Sequence, residues 1–457
     1  MHGLALPPPY TSTSISADSR LSDTSNSYDA FLQEPPSYKN FSSHRLITDW
    51  SGRSTKEFTY ALKSGNRRPW ASLILCADAS RSSSIPTYTE GECITGSVVL
   101  NTQEGDPVQA IDIIVQGQVI TGTRAQDTYT FLNHPVTIWN KSMGDMRSSS
   151  REDFTNDESC WDFCIGLPSQ VEVTNSRNSS RVFRLPSAFL EHCAQACIQY
   201  TLVVNFTRSR LRTNKQLAAI FGYIQITRPS PGPYIPGQIT NQGDSELRPP
   251  DVDSHRWQTL SPIFIRGMGV GEQSIMLKCT LSLAKPLCYT RGTVIPCAMT
   301  IEAVDSGSTP EYCLANSRQA IALMLRRTIE YSSRSNYLFD KSESRTVVDH
   351  IETAVWGPTT TSQTTDGQSQ HQYLGEIPLK NKLAPSSAIG HLSIKYLVSI
   401  FAFEDAALKS NTAITKPLLE YPVVIATSFG KGPRRRSFIP QDGSTPLPQL
   451  IYMPGAG

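Results

Sequence analysis

The chain has 457 residues, 39% of them hydrophobic and 18% charged, with 31 prolines and 28 glycines. Its 42 basic and 40 acidic residues leave a net charge of +2, which excludes both the basic excess of a general nucleic-acid binder and an acidic disordered chain. The length allows two large domains with tails, and the low charge with abundant Pro and Gly favours β-structure and loops over helical bundles.

The N-terminus, Met-His-Gly-Leu-Ala-Leu-Pro-Pro-Pro-Tyr, has neither a basic n-region nor an apolar h-region, so no signal peptide is expected. The apolar run Tyr396–Phe403 is far shorter than the ~20 residues that span a bilayer. The expected location is therefore cytoplasmic or nuclear, with the ten cysteines reduced. Residues 1–65 read as a disordered Ser/Thr/Pro-rich tail. Ten of the twenty residues from Thr11 to Ala30 are Ser or Thr, too few of the rest being apolar to offset chain entropy.

Folding is expected to begin near Pro69-Trp70, with Ala71–Cys76 as the first strand. Short β-rich runs then alternate with turn residues over Cys93–Leu100, Ala110–Thr121, Val136–Trp139, Cys160–Leu167, Ile198–Thr207 and Gly222–Thr227. A short helix fits the ambiguous spacing of Pro186–Cys197. The Pro-rich stretch from Arg228 breaks regular structure and opens a linker over 231–262. A second β-rich set follows over Ser274–Leu283, Val294–Ala303, Ile321–Tyr331, His350–Trp356, Leu392–Phe403 and Tyr421–Thr427. The Gly267-Met-Gly269-Val-Gly271 segment lacks the Lys-Ser/Thr of a phosphate loop and reads as part of the entry to this second set.

The two sets repeat one another. Tyr88-Thr-Glu-Gly91-Glu-Cys-Ile94 and Tyr289-Thr-Arg-Gly292-Thr-Val-Ile295 place Tyr, Thr, Gly and Ile at identical spacing. Later, Ile198-Gln-Tyr200 matches Ile394-Lys-Tyr396, and a Pro-Ser pair (Pro186-Ser187, Pro385-Ser386) precedes each. The fold class expected is all-β: two tandem immunoglobulin-like sandwiches of similar topology, over 66–230 and 263–430, behind the disordered tail.

The Tyr88–Leu100 opening, the Ile111-Asp-Ile-Ile-Val-Gln-Gly117 strand, Trp161-Asp-Phe163 leading to Leu167-Pro168, and the Leu185-Pro-Ser-Ala-Phe189 passage resemble the arrestin fold, loosely and over roughly residues 70–430. The second half departs more, with insertions such as Pro358–Gln372. Within that fold the chain is most similar to the α-arrestins of fungi and animals, because of two further motifs.

Pro7-Pro8-Pro9-Tyr10 and Pro35-Pro36-Ser37-Tyr38 both match Pro-Pro-x-Tyr. Consecutive prolines hold a polyproline II helix with little entropy left to lose, and such a helix docks in the aromatic groove of a WW domain. From the composition, chance supplies roughly 0.08 such motifs per chain, yet two fall in the first 38 residues. Pro7, Pro8, Tyr10, Pro35, Pro36 and Tyr38 are the expected WW-binding residues. The resemblance implies recruitment of a WW-domain HECT ubiquitin ligase, and delivery of it to cytosolic regions of membrane transporters or receptors for ubiquitination and endocytosis. It implies a protein transiently at the plasma membrane or endosomes. In many α-arrestins the motifs follow the second sandwich, whereas here both precede the first, which leaves open which surface faces the ligase.

Lys431-Gly-Pro-Arg434-Arg435-Arg436-Ser437 opens a basic, Pro-rich tail over 431–457. Ser437 is a candidate phosphosite for a basophilic kinase, and the arginines suit an anionic membrane surface. Cys160/Cys164 and Cys193/Cys197 each lie four apart, but the first pair sits in a strand-like run where free thiols are common, so no metal site is expected. No linear motif of a hydrolase, kinase or metalloprotease occurs; neither an enzyme nor a cofactor is expected. Two alternatives remain: an arrestin-type trafficking or signalling scaffold that uses no ubiquitin ligase, and a hydrolase or sugar-binding sandwich, which would need convergent carboxylates or aromatic rings.

Overall fold

A computed structural model describes residues 44–48, 54–63, 69–101, 108–122, 127–144, 158–174, 180–191, 196–208, 213–230, 247–268, 274–304, 322–332, 344–363, 369–401, 404–405, 408–410 and 416–430. The fold is all-β, and no α-helix occurs among the described residues.

In the first half the chain forms β1 (His44–Thr48), β2 (Ser54–Lys63), β3 (Pro69–Asp78), β4 (Thr87–Thr89) and β5 (Cys93–Asn101). It continues through β6 (Val108–Ile120), β7 (Thr128–Asn140), β8 (Glu158–Gly166), β9 (Gln170–Thr174) and β10 (Ser180–Arg184). β11 (Phe189–Glu191), β12 (Ala196–Arg208) and β13 (Lys215–Ile224) complete it. One sheet runs β1-β2-β3-β5-β8 and the facing one β4-β13-β12-β6-β7. Strand formation follows from period-2 patterning: along β12 every second residue from Ala196 to Phe206 is buried. These side chains meet Phe58, Leu73, Leu75, Ile94 and Val98 of the opposite sheet in one apolar cluster. Trp70 of β3 packs edge-on against Phe206 of β12 at 5.2 Å, and Trp139 of β7 meets Trp161 of β8 at 5.7 Å, so aromatic contacts tie the two sheets together.

The second half comprises β14 (Trp257–Thr259), β15 (Ile263–Met268), β16 (Ser274–Ala284), β17 (Cys288–Thr290) and β18 (Val294–Ala303). Next come β19 (Leu323–Ser332), β20 (Ser344–Thr353), β21 (Val355–Gln363), β22 (Ser369–Pro378) and β23 (Ser387–Ile389). β24 (Leu392–Ile400), β25 (Glu404–Asp405), β26 (Leu408–Ser410) and β27 (Leu419–Ala426) end it. Its sheets run β21-β22-β18-β16-β15-β26-β25 and β17-β27-β24-β19-β20. Every ladder among the described residues joins strands of one half.

The repeat read from the sequence is a repeat of structure. Tyr88 lies in β4, which pairs in parallel with the last strand of its half, β13, with Tyr88 opposite Tyr223. Tyr289 lies in β17, which pairs in parallel with the last strand of its half, β27, with Tyr289 opposite Ile425. Gly91 and Gly292 follow at φ +86° and +78°, a left-handed turn that glycine adopts without a Cβ clash. The Tyr200 hydroxyl donates to the Pro186 carbonyl and the Tyr396 hydroxyl to the Ala384 carbonyl, both at 2.6 Å. Ser187 Oγ accepts from the Gln225 N–H and Ser386 Oγ from the Ile425 N–H, both at 2.9 Å. The Pro-Ser pairs are therefore hydrogen-bond anchors for the last strand of each half.

Three expectations need correction. Residues 54–63 belong to the sheet and not to a tail reaching residue 65: β2 pairs with β3 and buries Phe58, Tyr60 and Leu62. The linker does not extend to 262. Leu247 and Trp257 pack on Ala284 and Ala298 of the second half, the Trp257 indole N–H donates to the Arg248 carbonyl at 2.8 Å, and Gly267 already lies in β15. Around Pro186–Cys197 there is no helix among the described residues, because Phe189–Glu191 pairs antiparallel with Ala196–Ile198.

Candidate functional site

Pro7, Pro8, Tyr10, Pro35, Pro36, Tyr38 and Ser437 lie outside the described residues, as do His192 and Cys193. The site that the structure builds is the junction between the two halves.

That junction starts at Glu90, which the Tyr-Thr-Glu-Gly turn after β4 carries outward. Its carboxylate takes a bond from Arg184 at 2.7 Å and another from the Ile226 N–H at 2.9 Å, while Arg184 also donates to the Ile226 carbonyl at 3.1 Å. The acid, the guanidinium and the backbone together fix the chain as it leaves β13. Thr427, immediately after β27, receives it: Thr427 Oγ1 accepts from the Thr227 N–H at 2.8 Å and donates to the Gln225 carbonyl at 2.7 Å. In return Thr227 Oγ1 accepts from the Thr427 N–H at 3.0 Å. The Ser428 N–H then donates to the Thr227 carbonyl and Thr290 Oγ1 donates to the Ser428 carbonyl, both at 3.0 Å. With few polar groups left unpaired, the two exit strands hold each other in one arrangement.

A second contact between the halves flanks the junction. Tyr129 of β7 meets His391, in the turn before β24, edge-to-face at 6.4 Å. The cleft beside them, lined by Val119, Thr121, Asp127, Thr128 and Ser332, has room for about one water molecule. That is too little for a substrate.

Near the other end of the β4 turn, Arg81 bridges Asp78 at 2.9 Å and Glu92 at 2.7 Å. The Ser80 hydroxyl and the Arg81 guanidinium hold the Asp78 carboxyl below its usual range. Burial acts to raise Glu92, but Arg81 and the Thr89 N–H outweigh it and its carboxyl also lies low. This cluster fastens the β3–β4 connection.

No group of three or more His, Cys, Asp and Glu among the described residues is placed to hold a metal ion. Cys160 and Cys164 share the extended strand β8, which sets four-residue neighbours about 13 Å apart. One zinc ion binds thiolates at about 2.3 Å, so the two cannot ligate it together. Among the described residues no helix is long and apolar enough to cross a membrane. The chain matches no protein-family model and no curated protein.

The junction residues Glu90, Arg184, Thr227 and Thr427 were not singled out by sequence reasoning. Glu90 carried a signal, since it is the variable position of the repeated Tyr-Thr-x-Gly turn and Arg291 stands in its place in the second half. Thr227 and Thr427 carried none, because each acquires its role only from the other. Chemically the arrangement offers a clamp. It fixes the exit strand of the first sandwich against that of the second.

Proposed function

We propose that the chain is a non-catalytic adaptor that recruits a WW-domain HECT ubiquitin ligase through its Pro-Pro-x-Tyr motifs and directs it to membrane transporters or receptors, for ubiquitination and endocytosis. The observation that carries this reading is the pair Pro7-Pro8-Pro9-Tyr10 and Pro35-Pro36-Ser37-Tyr38 ahead of an all-β body. A flexible chain as long as the separation of the motifs, about 25 residues, would have a mean span of roughly 25–30 Å. A ligase with several WW domains then engages both motifs, and the second binding event is favoured by effective concentration. In this reading the β-sheet body selects the cytosolic tail or loop of the cargo, and ubiquitin transfer belongs to the ligase. The resemblance to α-arrestins supports the cargo class. The Lys431–Arg436 segment adds attraction to an anionic leaflet of up to ~1 kcal/mol per basic residue.

The test is a pull-down with a WW-domain HECT ligase. Tyr10→Ala with Tyr38→Ala is expected to abolish capture, while the circular dichroism and melting of the β-sheet body stay unchanged. Undiminished capture by the double variant rejects the reading in favour of a ligase-independent scaffold.

A further inference from the structure

β20 ends its sheet, and among the described residues its only ladder is with β19. The row of N–H and C=O groups along its other side faces no strand among those residues, the arrangement that invites a further strand to pair. The outer strands of the four large sheets differ in how well they could accept one. β4, β17 and β25 have at most three residues and β1 has five. β7 carries Pro135 and β21 carries Pro358, each without an N–H to give to a ladder. The charges of β8 are Glu158 and Asp162 alone, which repel those of a second copy. β20 has ten residues, no proline and charges of both signs.

Charges on an edge strand usually keep other strands away, but those of β20 allow one pairing with itself. In a two-fold antiparallel pair, facing residues lie on the same face of the sheet and so stand an even number of places apart in the sequence. Arg345 and Asp349 meet that condition, whereas Arg345 and Glu352 do not. With Val347 on the axis, Arg345 of each copy faces Asp349 of the other, Thr346 faces Val348, and Ser344 faces His350. These residues are the stretch that pairs with β19 without irregularity, and the register shifts just beyond His350, where Ile351 has no partner on β19. Arg345 is exposed. Asp349 accepts from Arg327 at 2.8 and 3.2 Å, both times on Oδ2, so its Oδ1 takes no bond among the described residues. Val348 is 40% exposed and gains the Thr346 methyl as a neighbour.

We propose that the outer edge of β20 is a homodimer interface, on which a second copy of this chain lays its own β20 antiparallel across a two-fold axis at Val347. The interface is isologous, so the Arg345–Asp349 contact occurs twice, once on each side of the axis. The centre of the pairing is the β-branched run Thr346-Val347-Val348, which suits a strand. Main-chain bonds across the edge join the two sheets into one, and the opposite charges fix the register. This inference does not depend on the adaptor reading, because it concerns the protein without a ligase.

The experiment uses the full-length protein alone, in sedimentation velocity over a concentration series and in hydrogen exchange. The expected result is a monomer–dimer equilibrium in which amides between Ser344 and His350 exchange more slowly as concentration rises. Arg345→Asp sets carboxylates opposite each other on both sides of the axis and is expected to weaken the dimer about tenfold or more, with the melting of the dilute protein unchanged. Mixing Arg345→Asp with Asp349→Arg restores both opposite-charge contacts and is expected to restore the dimer. A wild-type protein that stays monomeric throughout overturns the proposal. So does a dimer that survives Arg345→Asp undiminished, or one that forms with no added protection of β20. A monomer in which β20 gains protection only from an added WW-domain ligase assigns the edge to that partner and overturns it as well. Asp349→Arg also loses the Arg327 contact, so if it fails to fold, the wild-type exchange and Arg345→Asp decide by themselves.

Discussion

Thr227 and Thr427 cap one another: the N–H of each donates to the hydroxyl of the other, at 2.8 and 3.0 Å. Each threonine follows the last strand of its own half, so the pair couples the ends of the two repeats. Thr427→Val keeps the shape but leaves the Thr227 N–H and the Gln225 carbonyl without their partner. The expected loss is about 1–3 kcal/mol, read by urea denaturation, with faster hydrogen exchange at Thr227. Thr227→Val with Thr427→Val should cost less than the sum of the two single changes, as contacting residues do. Strict additivity would show that the two do not act as a unit.

Tyr200 and Tyr396 are equivalent and should respond equivalently. Both are buried, and each donates to a carbonyl three residues before the start of a short strand that pairs with its own: Pro186 before β11 for the first, Ala384 before β23 for the second. Burial pushes the Tyr200 hydroxyl well up, so it remains a donor across the accessible pH range. Tyr200→Phe and Tyr396→Phe are each expected to cost about 1–3 kcal/mol by leaving a buried carbonyl unpaired. Because they lie in different halves, their effects should add within about 0.5 kcal/mol. Chemical denaturation of the two single variants and the double variant checks both statements.

The Arg81 cluster sets a pH dependence. Asp78 and Glu92 are lowered from ordinary values of 3.8 and 4.5 in the folded chain, so the unfolded state takes up protons first as pH falls. Their contribution is whole above the ordinary values and is lost as pH falls through the lowered folded ones. All three side chains are about a third exposed, and solvent screening holds the contribution to roughly 1 kcal/mol or less. Arg81→Met should therefore be less stable than wild type at pH 7, and the gap should close towards pH 3. A gap that widens on acidification would contradict the assigned direction.

The repeated glycine turn gives a graded test. At Gly91 a Cβ meets nothing within 4 Å, so Gly91→Ala is opposed only by its φ of +86°, a cost of about 1–2 kcal/mol. At Gly292, with φ +78°, a Cβ also collides with the Asn381 amide. Gly292→Ala should be the more destabilising, and Asn381→Ala should recover part of the difference. Melting temperatures of the three variants and the combined one decide it; equal effects at both glycines would exclude the Asn381 contact.

The sequence by itself determined the all-β class and most strands. Side-chain alternation is a local property, so Cys93–Leu100, Ile198–Thr207 and Val294–Ala303 lie inside β5, β12 and β18. It also carried the repeat, since a left-handed turn demands glycine and a buried hydroxyl demands tyrosine at matched places. β2 was legible but overlooked: Phe58, Tyr60 and Leu62 alternate as a half-buried strand should, behind a Ser-rich leader that masked them. Trp257 was missed because nothing local marks which surface a tryptophan in a Pro-rich stretch will cover. The Pro-Pro-x-Tyr motifs are read entirely from sequence. Only tertiary structure decided that Thr227 meets Thr427 and that Arg184 meets Glu90. Such pairs depend on strand register and on how the two halves meet, which the whole core fixes and no short stretch of chain encodes.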